Sequence, residues 1–475
     1  MTRTLLWHDY ETFGANPRLD RPAQFAAIRT DLDFNPIGEP LMFYCQPPRD
    51  LLPHPEAALI TGITPQQALE AGLPEPEFMA RIHAEMSQPG TCSVGYNSLR
   101  FDDEVTRHGL WRNFFDPYAR EWKNGCSRWD IIDMVRLTYA LRPDGIQWPR
   151  HEDGSPSFKL ESLAGANQLE QARAHDALSD VRATIALAKL VREHQPKLYD
   201  FVFSNRDKRS AAAMLNLQTH RPVLHVSSRF PAHNGCISLV MPLIEHPVNG
   251  NAVICYDLRH DPTDLIELTL EDIHDRLFVP ASELPDGVER IALKGVHINK
   301  CPVLAPADML SPDEARRLNL DGDRLRRHRS AIVDNLETVA AKAAAVFALG
   351  EQEAAGDPEQ ALYDGFTGDD DRRLCDEVRQ SDPAALTADA VRFKDARLAE
   401  MLFRYRARYA PQTLDDIERQ EWENWRRNRI EFAPDGGLDY ARYNETIEML
   451  MGQHGSPEAL QLLLALKRWG DDLMA

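Results

Sequence analysis

The stretch that most constrains the fold is Leu5-Leu6-Trp7-His8-Asp9-Tyr10-Glu11-Thr12-Phe13-Gly14, close to the N-terminus. An apolar run of this kind is a buried strand, and side chains along a strand alternate faces. Asp9 and Glu11 therefore point the same way. Two like charges side by side in a semi-buried strand cost free energy unless a cation sits between them. A hard divalent ion such as Mg²⁺ or Mn²⁺, which prefers oxygen ligands, meets that need. An isolated D-x-E is equally at home in an edge strand with one wet face, so the rest of the chain decides.

At 475 residues the chain is too long for one core and divides into about two to four domains. No run is long enough to span a bilayer, and Met1-Thr2-Arg3-Thr4 leads straight into the strand rather than into a signal peptide. A cytoplasmic protein without membrane association is the expectation. The seven cysteines are scattered with no C-x-x-C pair, which suggests neither a zinc site nor a disulfide framework. A formal net charge of −20 argues against a protein that grips nucleic acid over its whole surface. It leaves room for a local basic groove built from clusters.

Residues 1–200 alternate strand-like and helix-like patterns, an α/β layer. After the opening strand comes an extended run near Pro40–Cys45, a helix that starts after Thr64, and another over Phe78–Met86. A third strand covers Thr91–Asn97, and a helical pattern follows from Phe101 to Phe115. A polar insertion, Arg142–Pro156, precedes two helices at Leu160–Ala164 and Ala177–Glu193, the second ended by Pro196. From about 202 to 305 short β-rich runs at 223–226, 236–240, 252–256, 265–268 and 296–298 predict a small barrel or sandwich. Helix returns from Pro312, with Arg324–Leu349 the clearest segment. Gly350–Glu359 has the polarity of a linker, and the remainder is all-α, with helices around 387–409, 413–430, 439–452 and 457–474.

Three further pieces bear on Asp9 and Glu11. In Gly95-Tyr96-Asn97-Ser98-Leu99-Arg100-Phe101-Asp102-Asp103-Glu104-Val105, Phe101 and Val105 are one helical turn apart and face the core. Asp102 then lies beside that buried edge, while Asp103 and Glu104 are expected to turn toward solvent. In the helix after His175-Asp176, the residues Asp180, Thr184, Leu187 and Val191 form one stripe. Asp180 thus heads an inward-facing apolar row, an awkward place for a charge. Capping by Asp176 explains Asp176 and leaves Asp180 unexplained. His175, beside metal-binding carboxylates, is a plausible general base because its unperturbed pKa lies near working pH.

The order D-x-E on a first strand, N-x-x-x-F-D, and H-x(4)-D on a late helix resembles the DEDD 3′→5′ exonucleases of ribonuclease H-like fold, in the subgroup that carries histidine. The blocks D-Y-E-T-F-G, G-Y-N-x-x-R-F-D-D-E-V-T-R, S-R-W-D, A-L-R-P-D-G-I-x-W-P, H-I-N-K-C-P-V-L-A and L-F-R-Y-R-A-R extend the likeness over nearly the whole chain. The resemblance implies a ribonuclease H-like α/β exonuclease domain over 1–196, an SH3-like β-barrel domain with a helical extension over 197–350, and an all-α C-terminal domain over 356–475. It implies that Asp9, Glu11, Asp102 and Asp180 surround two Mg²⁺ ions, for which Mn²⁺ can substitute, with His175 as the base. The activity implied is processive 3′→5′ digestion of single-stranded DNA to 5′-mononucleotides, in DNA repair and recombination.

Holding a single strand needs phosphate contacts and stacking surfaces. Between Phe101 and Trp129 the chain interleaves Arg100, Arg107, Trp111, Arg112, Phe114, Phe115, Tyr118, Trp122, Arg128 and Trp129, about half of whose aromatics are expected in the core. The resemblance selects Arg107, Tyr118, Trp122 and Arg136 as strand contacts, adds Lys159 in S-F-K-L-E-S-L, and gives Glu11 a substrate contact as well. It also implies a monomer and a partner, the acidic C-terminal tail of single-stranded DNA-binding protein. Arg316, Arg317, Arg324, Arg326, Arg327 and Arg329 can serve that tail, a DNA channel, or only a solvated helix face. Two other readings are weaker. An HD phosphohydrolase built on His175-Asp176 is all-helical, whereas the first acids here sit on a strand. A non-catalytic DNA-binding scaffold is disfavoured because no expected acid is missing. Physics alone does not separate DNA from RNA.

Overall fold

The computed structural model describes residues 3–169, 176–349, 355–387 and 390–475. They form two compact units, one of residues 1–128, 171–185 and 353–475, the other of 129–170 and 186–352.

The first unit is organised on a five-stranded mixed sheet of order β3-β2-β1-β4-β5: β1 (Thr4–Thr12), β2 (Pro22–Thr30), β3 (Leu41–Tyr44), β4 (Thr91–Gly95) and β5 (Ser127–Asp130), on which the unit ends. The central β1 runs antiparallel to β2, with Asp9 opposite Ala26 and Glu11 opposite Gln24, and parallel to β4. Alternation along β1 sends Leu6 and Tyr10 into a core with Phe25, Phe78, Ile82 and Val105. That core lies under the Glu75–Met86 and Asp102–Arg112 helices, and the odd positions, with Asp9 and Glu11, take the other face. The helix after Thr64 forms as expected: Pro65 opens it, and the Thr64 hydroxyl accepts from Gln67 N at 3.2 Å.

The sequence reading missed β2. Pro22–Thr30 is almost wholly buried on both faces, so Ala23, Ala26 and Ala27 replace the polar alternation that marks a half-exposed strand. The same unit carries the C-terminal helices Asp369–Gln380, Ala396–Tyr409, Asp416–Phe432, Tyr440–Gln453 and Pro457–Met474. The polar stretch before them does not end as a free linker, since Glu359 is 2% exposed and accepts from Arg21 at 2.5 Å.

The second unit holds an all-antiparallel sheet of order β10-β6-β7-β8-β9, with β6 (Val223–Val226), β7 (Ile237–Glu245), β8 (Ala252–Asp257), β9 (Leu293–His297) and β10 (Leu304–Pro306). Leu265–Leu268, expected as a strand, lies instead in and just after a short helix, Thr263–Glu267, whose last carbonyls are bonded by Lys342 Nζ. The long helical segment divides at Asn335 into Gly322–Asp334 and Leu336–Ala348. All seven cysteines are free thiols, six of them buried. Among the described residues no helix is long and apolar enough to cross a membrane.

Candidate metal centre

Three carboxylates from two elements meet on the odd face of β1. Asp9 and Glu11 come from the strand and Asp180 from the first turn of the Ala177–His194 helix, and one oxygen of each lies within 4.8 Å of the others. Thr184, Leu187 and Val191 on the same helix are buried, which confirms the stripe that aims Asp180 inward. The helix is fixed at its start by Asp176, whose Oδ2 accepts from Ser179 N at 3.3 Å. Asp102 reaches the strand from the start of its own helix: its Oδ1 accepts the Tyr10 backbone N–H at 3.1 Å, between Asp9 and Glu11. The strand is then turned sharply at Gly14, where a Cβ would come within 2.1 Å of Asp20 Oδ2, so only glycine fits.

The electrostatics of the two strand acids are those of buried groups crowded by other acids. Burial, followed by the charges of Asp180, Asp102 and Asp176, pushes the Glu11 carboxyl up to about 8. Burial and Asp102, Glu11, Asp180 and Asp176 raise Asp9 well above the usual carboxylate range. Every charge acting on Asp9 in that set is another acid. A site of oxygen donors only, with Asp9 and Glu11 crowded by like charges, fits hard divalent cations such as Mg²⁺ or Mn²⁺. His175, the expected base, lies outside the described residues.

Asp103 and Glu104 do not turn toward solvent. Asp103 is 2% exposed and bridges Arg120 Nη2 at 2.7 Å and Arg128 Nη1 at 2.9 Å. Glu104 is largely covered, accepting from Arg107 at 2.9 Å and from the Tyr363 hydroxyl at 2.5 Å. Arg120 and Arg128 stand 17 and 25 residues from Asp103, too far along the chain for helical periodicity to reveal them.

The residues expected to hold a strand fall into different settings. Arg107 is buried, paired bidentately with Glu121 at 2.8 and 3.0 Å, and lies over the Tyr118 ring at 5.3 Å. Tyr118 is half-buried, and Trp122 presents 67% of its surface. In the other unit Arg136 pairs with Asp133 at 2.7 Å and lies over Phe158, while Lys159 is exposed, 3.9 Å from Glu161. Several of the remaining aromatics and arginines in the interleaved run serve packing: Trp111, Phe114 and Trp129 are buried, and Arg112 pairs with Glu75 at 2.7 Å. Of the later arginines, Arg317 bonds the backbone carbonyls of Tyr139 and Ala140 and Arg324 that of Asn319. Arg316 and Arg326 pair with Asp313 and Asp323, and Arg327 and Arg329 are exposed. Two aromatics escaped the sequence reading. Tyr363 bonds Arg107 at 3.1 Å, and Phe366, three residues on, is 96% exposed. The only local signal was a pair of aromatics in an otherwise polar stretch.

A mixed sheet whose central strand carries D-x-E, completed by acids from two helices, defines a nuclease domain, and the family model described as Exonuclease matches residues 6–188. Residues 206–349 match the Exonuclease I SH3-like domain and 356–473 the Exonuclease I C-terminal domain. The chain belongs to the bacterial exodeoxyribonuclease I family. It is 46% identical over 473 residues to exodeoxyribonuclease I of Escherichia coli K12, covering 99% of this chain and 98% of that one. The E. coli enzyme in complex with a dA16 oligonucleotide has a TM-score of 0.95 to this chain, at 46% identity and with 99% and 100% of the two chains covered. Exonuclease I from the moderate thermophile Methylocaldum szegediense is 52% identical, with a TM-score of 0.94 and both chains fully covered. A structure of SSB/Exonuclease I with an inhibitor is 45% identical, with a TM-score of 0.91 over the full length of both chains. The architecture is therefore a ribonuclease H-like exonuclease domain, an SH3-like domain and a helical C-terminal domain.

Proposed function

We propose that this chain removes nucleotides from the 3′ end of single-stranded DNA and releases 5′-mononucleotides. The observation that carries this is the convergence of Asp9, Glu11 and Asp180, with Asp102 bonded to the strand between them. Asp9, Glu11, Asp102 and Asp180 would hold two Mg²⁺ ions, which would supply activation of the attacking water and charge stabilisation at the leaving 3′-oxygen. The protein's own part is positional. The Tyr10 N–H fixes one oxygen of Asp102 against the strand and so orients the carboxylate. His175 takes the proton of the attacking water, and Glu11 also contacts the terminal nucleotide.

Tyr118 and Trp122 stack bases, Phe366 offers a further exposed ring in the same unit, and Arg136 and Lys159 meet phosphates. Lysine at 159 keeps the charge without the bidentate fork of arginine. Arg107, committed to Glu121, acts through the Tyr118 ring it supports. The resemblance supports processive action by a cytoplasmic monomer in DNA repair and recombination. The solved SSB/Exonuclease I structure supports the acidic tail of single-stranded DNA-binding protein as a partner. The domain limits 1–196, 197–350 and 356–475 complete the reading.

The test is digestion of end-labelled single-stranded DNA, duplex DNA and RNA with Mg²⁺ and with chelator. The expected result is first loss of the 3′ label, on single-stranded DNA only, abolished by chelator. Internal cuts, or equal digestion by an Asp180→Ala chain, would overturn it.

A further inference from the structure

Asp102 and Asp103 are neighbours with opposite commitments. Asp102 faces the acid cluster, while Asp103 turns into the protein and holds Arg120 Nη2 at 2.7 Å and Arg128 Nη1 at 2.9 Å. From there an ionic row continues. Arg128 Nε reaches Glu121 at 3.2 Å, Glu121 is held by Arg107 at 2.8 Å, and Arg107 reaches Glu104 at 2.9 Å. Three guanidinium groups and three carboxylates alternate, with no side chain more than 14% exposed.

Stability is a poor explanation of this row. A buried ion pair is seldom better than an apolar pair of similar volume. Arg120 Nε and Nη1 are moreover buried without an acceptor among the described residues, which is costly. The row's endpoints are more informative. Arg120 and Glu121 belong to the same short segment as Tyr118 and Trp122, the stacking residues, and Arg107 lies over the Tyr118 ring. Asp103 follows Asp102 in the first turn of the helix, so a shift in one moves the other.

We propose that this ionic row couples strand binding at Tyr118 and Trp122 to metal binding at Asp102, so that each ligand tightens the other. The inference rests on the proposed function for the identity of both ligands. Residues behind a metal ligand orient it, and their loss typically weakens binding by about 10–100-fold. A coupling between two binding events is reciprocal by thermodynamic necessity. An exonuclease built this way completes its cation site when a strand is in place.

The test measures Mn²⁺ binding to the full chain by electron paramagnetic resonance. It is run with and without an oligo-dT whose 3′-terminal linkages are phosphorothioates that resist cleavage. The oligonucleotide is expected to tighten Mn²⁺ about 10-fold, and Mn²⁺ to tighten the oligonucleotide by the same factor. Asp103→Asn and Trp122→Ala are then combined in a double-mutant cycle. Each single change should cut the coupling factor several-fold, and the double mutant should cut it no further than the larger single effect. Losses that multiply overturn the coupling. Should Asp103→Asn fail to fold by circular dichroism, Glu121→Gln, which leaves the Arg120–Asp103 pair intact, takes its place with the same outcomes. A wild-type chain that binds neither Mn²⁺ nor oligonucleotide overturns the reading of the site itself. One that binds both, with multiplying losses, overturns the coupling alone.

Discussion

Two groups of buried acids in the first unit have the same chemistry and opposite electrostatics. Around β1, Asp9 and Glu11 are raised by burial and by neighbouring acids, Glu11 to about 8. Around Asp50 and Glu359 the burial is as deep, but guanidinium groups outweigh it. Arg408 holds Asp50 at 2.7 Å with Arg429 beside it, and the Asp50 carboxyl sits at about 2. Arg408, Arg21 and Arg429 likewise hold Glu359 well below the carboxylate range. Paired acids act as glue between distant parts of the chain, whereas acids crowded by other acids favour a bound cation. That difference, more than burial or acidity, is what supports the proposed functional set.

The sharpest way to break the comparison is to remove one acid from each group. Asp180→Ala should lower turnover by about 10³-fold or more, about 4 kcal/mol of transition-state stabilisation, with little change in melting temperature. Glu359→Ala should do the reverse. It strands buried Arg21 and Arg408 and should cost about 3–5 kcal/mol in denaturant unfolding, while the protein that remains folded keeps its turnover. Equal stability losses in both variants would erase the distinction.

A finer probe is pH. Glu11 releases its proton near 4.5 in the unfolded chain and near 8 in the metal-free fold, so between those values the unfolded state binds fewer protons. Metal-free stability should therefore fall as pH rises from about 4.5 to about 8 and then level off. Glu11→Gln should flatten that slope and raise metal-free stability at pH 8 by about 4 kcal/mol, read by thermal unfolding in chelator. A steeper slope in Glu11→Gln would contradict the assignment. The smallest effect is expected at the surface: Trp122→Ala should weaken single-strand binding by about 1–3 kcal/mol, measured by fluorescence anisotropy, with melting unchanged.

The cluster was legible because its signals are local. A spacing of two on a strand and a charge at the head of an apolar helical stripe need only periodicity, and Asp9, Glu11 and Asp180 carried both. Asp103 was misread because its partners Arg120 and Arg128 stand 17 and 25 residues away, across a loop. Leu265–Leu268 has strand-like composition, yet Pro262 and Lys342 favour a helical turn there, and the second of these is a tertiary contact. Glu359 looked like linker because its partners, Arg21 and Arg408, are 338 and 49 residues distant.

That last separation has a consequence during synthesis. Arg21 leads into β2, beside the strand that carries Asp9 and Glu11, and its 2.5 Å partner is Glu359. At about 5–20 residues per second, roughly 17 s or more passes between their emergence from the ribosome. Until then buried Arg21 has the Glu75 carboxylate at 3.6 Å and the Leu19 carbonyl at 2.8 Å beside it, without the carboxylate of Glu359. A chain that ends before Glu359 lacks that carboxylate for a buried guanidinium next to the strand of Asp9 and Glu11.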